Sequence, residues 1–132
     1  MTEQAILKTF DPRAGIILVT ATITSHIEMK ARLVFDTGAT YCMLPWWLIN
    51  NLQIKINPKN VTQTTTASSV ETSPIVKLPA LEVLNEKVEN VTCLVRDLPP
   101  MSNVDGLLGL SFLKYFNVNI NFEEGELSLD RY

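Results

Sequence analysis

The residues that most often hold metals are scarce in this chain of 132 residues, which contains one histidine and two cysteines. A metal site rich in histidine therefore cannot be built from His26 alone. The two thiols, Cys42 and Cys93, each lie among apolar neighbours, and we predict that both are reduced core residues, with a disulfide between them as the alternative. We expect the chain to bind no metal and no cofactor.

Long hydrophobic runs and blocks of basic residues are also missing. The net charge is −3 without any basic block, which argues against non-specific nucleic-acid binding. No apolar run is long enough to cross a bilayer, so no membrane partner is expected. Residues 1–4 lack the basic and then apolar layout of a secretory signal. From this pattern we predict a cytoplasmic location.

The composition is that of a folded globular protein. Apolar residues make up 46% of the chain and charged residues 19%, which separates it from disordered sequences. A length of 132 residues is ordinary for one domain and sufficient to bury a core. We therefore predict a single domain over residues 1–132.

The hydrophobic pattern predicts a mainly β protein with one or two short helices. Segments rich in β-branched residues or with alternating polarity predict strands at 15–25, 29–35, 75–84, 88–96, 117–122 and 126–130, with a weaker one at 5–10. Pro45 suits the first turn of a helix over 45–52. Phe112, Leu113 and Phe116 have helical spacing, and Ser111 is the predicted cap of that second helix.

Residues 61–73 are polar and unusually rich in threonine and serine. Their β-branched threonines favour extended backbone, and the small residues at 67–69 suit a turn. We interpret this segment as an exposed β-hairpin; a plain solvated loop is the alternative.

The segment 33–40 carries the strongest chemical signal, since it reads Leu-Val-Phe-Asp-Thr-Gly-Ala-Thr. Asp36 ends an apolar strand, where burial and neighbours can tune a carboxyl group for general acid–base work. Gly38 lets the chain turn and lets another backbone approach closely. The alternative is that Asp36 only caps a turn and has no catalytic role.

A second segment, 104–113, reads Val-Asp-Gly-Leu-Leu-Gly-Leu-Ser-Phe-Leu. Together, the two segments and the polar hairpin between them resemble the retropepsin-like aspartic proteases. The resemblance covers roughly residues 15–130. It implies a closed β-barrel or sandwich domain with a flap hairpin near residues 63–73, and with the second segment packed beneath the active-site loop.

The resemblance also assigns roles to individual residues. Asp36, Thr37 and Gly38 would form the catalytic loop, and Leu107, Leu108 and Gly109 would support it from below. The substrate-binding residues would be Ala39 in the loop and five residues of the flap: Thr66, Ala67, Ser68, Ser69 and Val70. Unlike viral members of the family, this chain has no glycine at the tip of the flap. Asp105 does not belong to a second triplet, but it could bond to backbone in the turn before Leu107.

The Asp-Thr-Gly triplet occurs once, whereas the family's mechanism uses two carboxylates that share one proton. A second copy of the chain would have to supply the other Asp36 across a two-fold axis. We therefore predict a homodimeric aspartic endopeptidase acting on an extended peptide or an unfolded protein. The alternative is a catalytically silent domain that serves in dimerisation or peptide binding.

Overall fold

The computed structural model describes residues 7–65, 68–100 and 103–132. Its strands are β1 (Leu7–Thr9), β2 (Leu18–Thr24), β3 (Glu28–Phe35), β4 (Cys42–Leu44), β5 (Val61–Thr65), β6 (Val70–Val83), β7 (Glu86–Val95), β8 (Gly106–Leu108), β9 (Phe116–Asn121) and β10 (Glu126–Arg131). The helices are α1 (Trp46–Asn51) and α2 (Leu110–Leu113). None of the helices in the described ranges is long and apolar enough to cross a membrane.

Six strands form a closed barrel in the order β2-β3-β8-β4-β7-β6, because β2 also pairs with β6. β5 extends this sheet beyond β6, and a separate three-stranded sheet has the order β1-β10-β9. Strand residues account for 53% of the described residues and helical residues for 8%. The predicted mainly β fold with a closed barrel and short helices is therefore confirmed.

The core follows from alternation along the strands. In β2, Val19, Ala21 and Ile23 are buried while Thr20 and Thr24 are exposed. This period of two places one face of each strand in the barrel interior. The interior is completed by side chains from the helices, including Leu48, Ile49 and Phe112.

The two cysteines lie side by side in this core. Cys42 of β4 and Cys93 of β7 are register partners in a parallel pair, and both are buried free thiols. Burial raises the pKa of the Cys42 thiol. Burial, together with the neighbouring Cys42, raises the pKa of Cys93 well above its ordinary value. Both thiols are therefore held in the unreactive protonated form.

Two differences between the predicted and the observed elements concern α2 and β6. The helix predicted from Phe112, Leu113 and Phe116 ends at Leu113, and Phe116 begins β9 instead. In β9, Phe116 pairs with Arg131 and still contacts the ring of Phe112. Its side chain therefore packs into the core from a strand and not from a helix. The strand predicted at 75–84 corresponds to only the C-terminal part of β6, which runs without a break from the hairpin into the barrel.

Candidate active site

Asp36 lies where β3 leaves the barrel. β8 runs between β3 and β4, parallel to the first and antiparallel to the second. The loop from Asp36 to Tyr41 therefore crosses the end of β8. The Asp36 N–H donates to the carbonyl oxygen of Leu108 at 3.0 Å, which continues the β3–β8 ladder by one residue. A regular ladder thus fixes the backbone of Asp36.

The loop itself is a tight turn closed by the carboxylate. The Gly38 N–H donates to Asp36 Oδ1 at 2.9 Å, and the Ala39 N–H donates to the Asp36 carbonyl oxygen at 3.3 Å. Asp36 is half-buried, while Thr37 and Gly38 are exposed. The carboxylate therefore does cap its own turn, as the alternative interpretation requires, and it is also held at the surface of the loop.

The second segment supports this loop from below. The N–H groups of Leu110 and Ser111 donate to the carbonyl oxygens of Ala39 and Thr40 at 2.8 and 3.0 Å. Leu108 is fully buried beside Phe35 of β3. A Cβ atom on Gly109 would lie 2.4 Å from the carbonyl oxygen of Tyr41, so only glycine allows this approach.

Ser111 has a structural role that the sequence did not indicate. The prediction that it caps α2 is wrong, since the N-cap residue is Gly109 and no side chain caps the helix. Instead, the Ser111 Oγ accepts the Cys42 N–H at 2.9 Å and donates to the Thr92 carbonyl oxygen at 2.7 Å. One buried hydroxyl thus joins α2 to β4 and β7.

We predict that Ser111→Ala lowers the free energy of unfolding by about 1–3 kcal/mol, because the Cys42 N–H and the Thr92 carbonyl lose a buried partner. Urea unfolding followed by tryptophan fluorescence measures this change. Ser128→Ala is the control, since Ser128 is equally buried at 8% but bridges no two strands in the structure as described. A loss no larger than that of Ser128→Ala would show that the bridge contributes nothing.

The predicted hairpin over residues 61–73 is confirmed. β5 pairs with the start of β6 in an antiparallel register that runs from Val61 with Pro74 to Thr65 with Val70. Of the predicted substrate-binding residues, Thr66 and Ala67 lie outside the described residues. Ser68 and Ser69 lie in the connection at the tip, and Val70 begins β6 with its side chain exposed. We call residues 61–65 and 70–74 the 61–74 hairpin.

A cleft of about 410 Å³ separates the Asp36 loop from the 61–74 hairpin. Its lining comes from the loop, the hairpin and three barrel strands: Gly38, Ala39, Thr40, Tyr41, Met43, Gln63, Thr64, Thr65, Leu94, Arg96 and Leu107. The structure thus brings the predicted residues Ala39 and Leu107 together. Ser68, Ser69 and Val70 do not line this cleft in the single chain.

Arg96 is the charged residue of the cleft lining, and sequence reasoning missed it. Its side chain is 23% exposed and forms an ion pair with Glu71 of the hairpin at 3.1 Å. A basic residue directly after the apolar run 93–95 was the available signal, similar to the way that Asp36 ends β3.

Asp105 bonds to backbone, as the sequence suggested. Its Oδ2 accepts the Arg32 N–H at 2.8 Å, and its own N–H donates to the Arg32 carbonyl oxygen at 2.8 Å. Arg32 is four residues before Asp36 on β3, which corresponds to about 13 Å of extended chain. Asp105 is therefore too far along the strand to share a proton with Asp36.

A second cavity, of about 420 Å³, adjoins Asp36 on the side of residues 10–17. Ile16 and Phe122 line it and are 50% and 62% exposed. The strand predicted at 117–122 ends at Asn121, so Phe122 lies one residue beyond β9. Neither this cavity nor the cleft has a second acidic residue in its described lining. Nor do the described residues contain a group of three or more His, Cys, Asp or Glu side chains able to hold a metal ion.

Comparisons with known proteins fit this geometry. A family model described as aspartyl protease matches residues 19–112, which include Asp36 and most of the second segment. A crystal structure of a retropepsin-like aspartic protease from Rickettsia conorii is similar, with a TM-score of 0.66 and 19% identity. The match covers 97% of this chain and 99% of that one. A search of curated proteins finds no match. The family model matches well over half of this chain, so the chain belongs to the aspartyl protease family, and its fold is retropepsin-like.

Proposed function

We propose that this chain is an aspartic endopeptidase whose active site forms on the two-fold axis of a homodimer. The observation that carries the proposal is the position of Asp36, which is half-buried in its loop. Asp36 lines one cavity, residues 38–41 of the same loop line the cleft, and neither has another acidic residue in its described lining. One carboxylate cannot act as base and acid at once. Family membership makes a second Asp36 the natural partner.

In the proposed mechanism, the two Asp36 carboxylates share one proton and flank a water molecule. The ionised carboxylate takes a proton from the water as its oxygen attacks the peptide carbonyl carbon. The protonated carboxylate donates its proton to the carbonyl oxygen. The resulting gem-diol then collapses as the C–N bond breaks. The carboxyl group that took the water proton gives it to the nitrogen, and one gem-diol hydroxyl gives its proton to the other carboxylate, which restores the dyad. Only the two carboxylates and water take part.

The exposed residues next to Asp36 support such an interface. A Cβ atom on Gly38 would lie 3.2 Å from Asp36 Oδ1, which is a tight contact, and would meet no other atom within 4 Å beyond its chain neighbours. The open space on that side leaves room for a second backbone to approach across the axis. The exposed Thr37 hydroxyl would then brace the two loops against each other.

The apolar surface around the Asp36 loop also supports a dimer interface there. Ile16 and Phe122 line a cavity with Asp36, and the exposed Leu110 lines one with Thr37. Large apolar side chains gathered around one loop are typical of an interaction surface. A two-fold axis through this loop would cover them in both copies.

The 61–74 hairpin is the proposed flap. β5 is the last strand of its sheet, so its outer edge carries backbone groups that an extended peptide can pair with. Met43, Leu94 and Leu107 make part of the cleft beneath it apolar. We therefore expect extended or unfolded substrates with apolar side chains beside the cleaved bond. Ser68, Ser69 and Val70, at the tip of the hairpin, would close over them.

The test is hydrolysis of unfolded casein and of a peptide library, with products identified by mass spectrometry between about pH 3 and pH 8. Analytical ultracentrifugation of the same sample measures the oligomeric state. Cleavage by a sample that contains dimer is the expected result. Absence of cleavage at every pH by a sample that is fully dimeric would refute the proposal, as would activity from a sample that contains only monomer.

A further inference from the structure

Arg96 occupies the point where the 61–74 hairpin leaves the barrel. β6 pairs with β7 from Ile75, opposite Leu94, down to Val83. Continued by two residues, the same register places Arg96 opposite Ser73. Backbone pairing has ended at this point, because β7 stops at Val95 and the Arg96 N–H instead donates to the Leu44 carbonyl oxygen at 3.0 Å. Beyond Ile75, towards the tip of the hairpin, the β6–β7 ladder no longer attaches the hairpin to β7.

Where the ladder ends, the side chain of Arg96 contacts the hairpin instead. Its Nε donates to Ser73 Oγ at 3.1 Å, and its Nη2 donates to Thr64 Oγ1 and pairs with Glu71 Oε2 at 3.1 Å. Thr64 belongs to β5, whereas Glu71 and Ser73 belong to β6. One guanidinium therefore binds both strands of the hairpin. Its planar fork presents donors on nitrogens that are spaced apart, whereas the three donors of an ammonium group share one nitrogen.

Burial indicates which of these contacts matter most. The Glu71 side chain is 53% exposed, so water screens its attraction for Arg96 and the pair contributes little by itself. Ser73 is only 3% exposed, and Thr64 is half-buried. The charged hydrogen bonds to these two hydroxyls are therefore the stronger restraint.

We propose that Arg96 is the positioning residue of the 61–74 hairpin, holding both of its strands at a fixed height above the cleft. This inference rests on the proposed function for its catalytic consequence, since the hairpin then acts as the flap. A hairpin released from Arg96 would spend more time open, and substrate would bind more weakly. The carboxylates of Asp36 are not touched, so the chemical step would change little.

Hydrogen exchange measured by mass spectrometry tests the placement without any need for activity. In Arg96→Met, the amides of residues 61–65 and 70–73 are expected to exchange about tenfold faster, while those of residues 81–95 are unchanged. Arg96→Lys should fall between Arg96→Met and the wild type. Arg131→Met is the matched control, because Arg131 donates to the Lys87 carbonyl oxygen at 2.6 Å, away from the hairpin.

Two outcomes would overturn the proposal. One is unchanged exchange of the hairpin in Arg96→Met. The other is an equal rise in the exchange rate of the amides in residues 81–95, which would mean that Arg96 only stabilises the fold as a whole.

Peptide hydrolysis tests the consequence. Arg96→Met is expected to raise KM about tenfold and to change kcat by less than about threefold. A large loss of kcat with KM unchanged would contradict a positioning role. If the hairpin exchanges as expected but the wild-type chain cleaves nothing, the proposed function fails while the placement of Arg96 stands.

Discussion

Replacing Asp36 by asparagine is expected to lower kcat by at least about a thousandfold, within the range that general acid–base groups contribute. Asparagine has nearly the same shape, and its Oδ1 can still accept the Gly38 N–H that closes the turn. It can neither take a proton from water nor give one to the substrate. Both halves of the dyad are lost at once, because each copy of the chain carries the same substitution. Peptide hydrolysis by the purified variant measures the effect.

The matched control for this experiment is Asp105→Asn. Asp105 lies about 13 Å along the strand from Asp36, and an asparagine oxygen can still accept the Arg32 N–H. This variant should therefore retain at least about half of the wild-type activity, within the small effects expected of changes away from the site. If Asp36→Asn keeps its activity, or if both variants lose it equally, Asp36 is not the catalytic acid.

Gly106→Ala is expected to destabilise the fold by more than about 3 kcal/mol, at or beyond the upper end of overpacking effects. A Cβ atom at this position would lie 1.9 Å from the carbonyl oxygen of Met43. That oxygen belongs to backbone in β4, which cannot rotate away as a side chain would. β8 would have to move out from between β3 and β4, and the support beneath Asp36 would be lost with it. Soluble yield and urea unfolding report the change.

Gly15→Ala provides the comparison, because no atom lies within 4 Å of its Cβ position. Its stability should stay within about 0.5 kcal/mol of the wild type, as for an ordinary surface change. Equal stability of Gly106→Ala and Gly15→Ala would show that β8 is not packed between β3 and β4 as described.

The sequence identified the residues around Asp36 because each of them has a local reason to be there. An acidic residue that ends an apolar strand, followed by Thr and Gly, is informative without any tertiary context. The alternation in β2 and the threonines of the 61–74 hairpin were equally local signals, and they predicted strands correctly. The barrel closure itself was supplied by the family resemblance.

What the sequence missed depends on distant partners. Phe116 has helical spacing with Phe112, yet it pairs with Arg131 of β10. Ser111 resembles a helix cap, but its partners are 69 and 19 residues away. Arg96 meets the hairpin only because β6 is continuous through the hairpin and the barrel. Such contacts are set by the closed barrel, which a local pattern does not encode.

The central claim is that two Asp36 residues from two chains make one active site. Wild-type chain and Asp36→Asn are unfolded together, mixed in varied ratios at constant total concentration, refolded, and assayed for peptide hydrolysis. If both carboxylates are needed, activity follows the square of the wild-type fraction, and an equal mixture has about one quarter of the wild-type activity. A linear decrease, with about one half of the activity in the equal mixture, would mean that a single Asp36 is sufficient and would contradict the account.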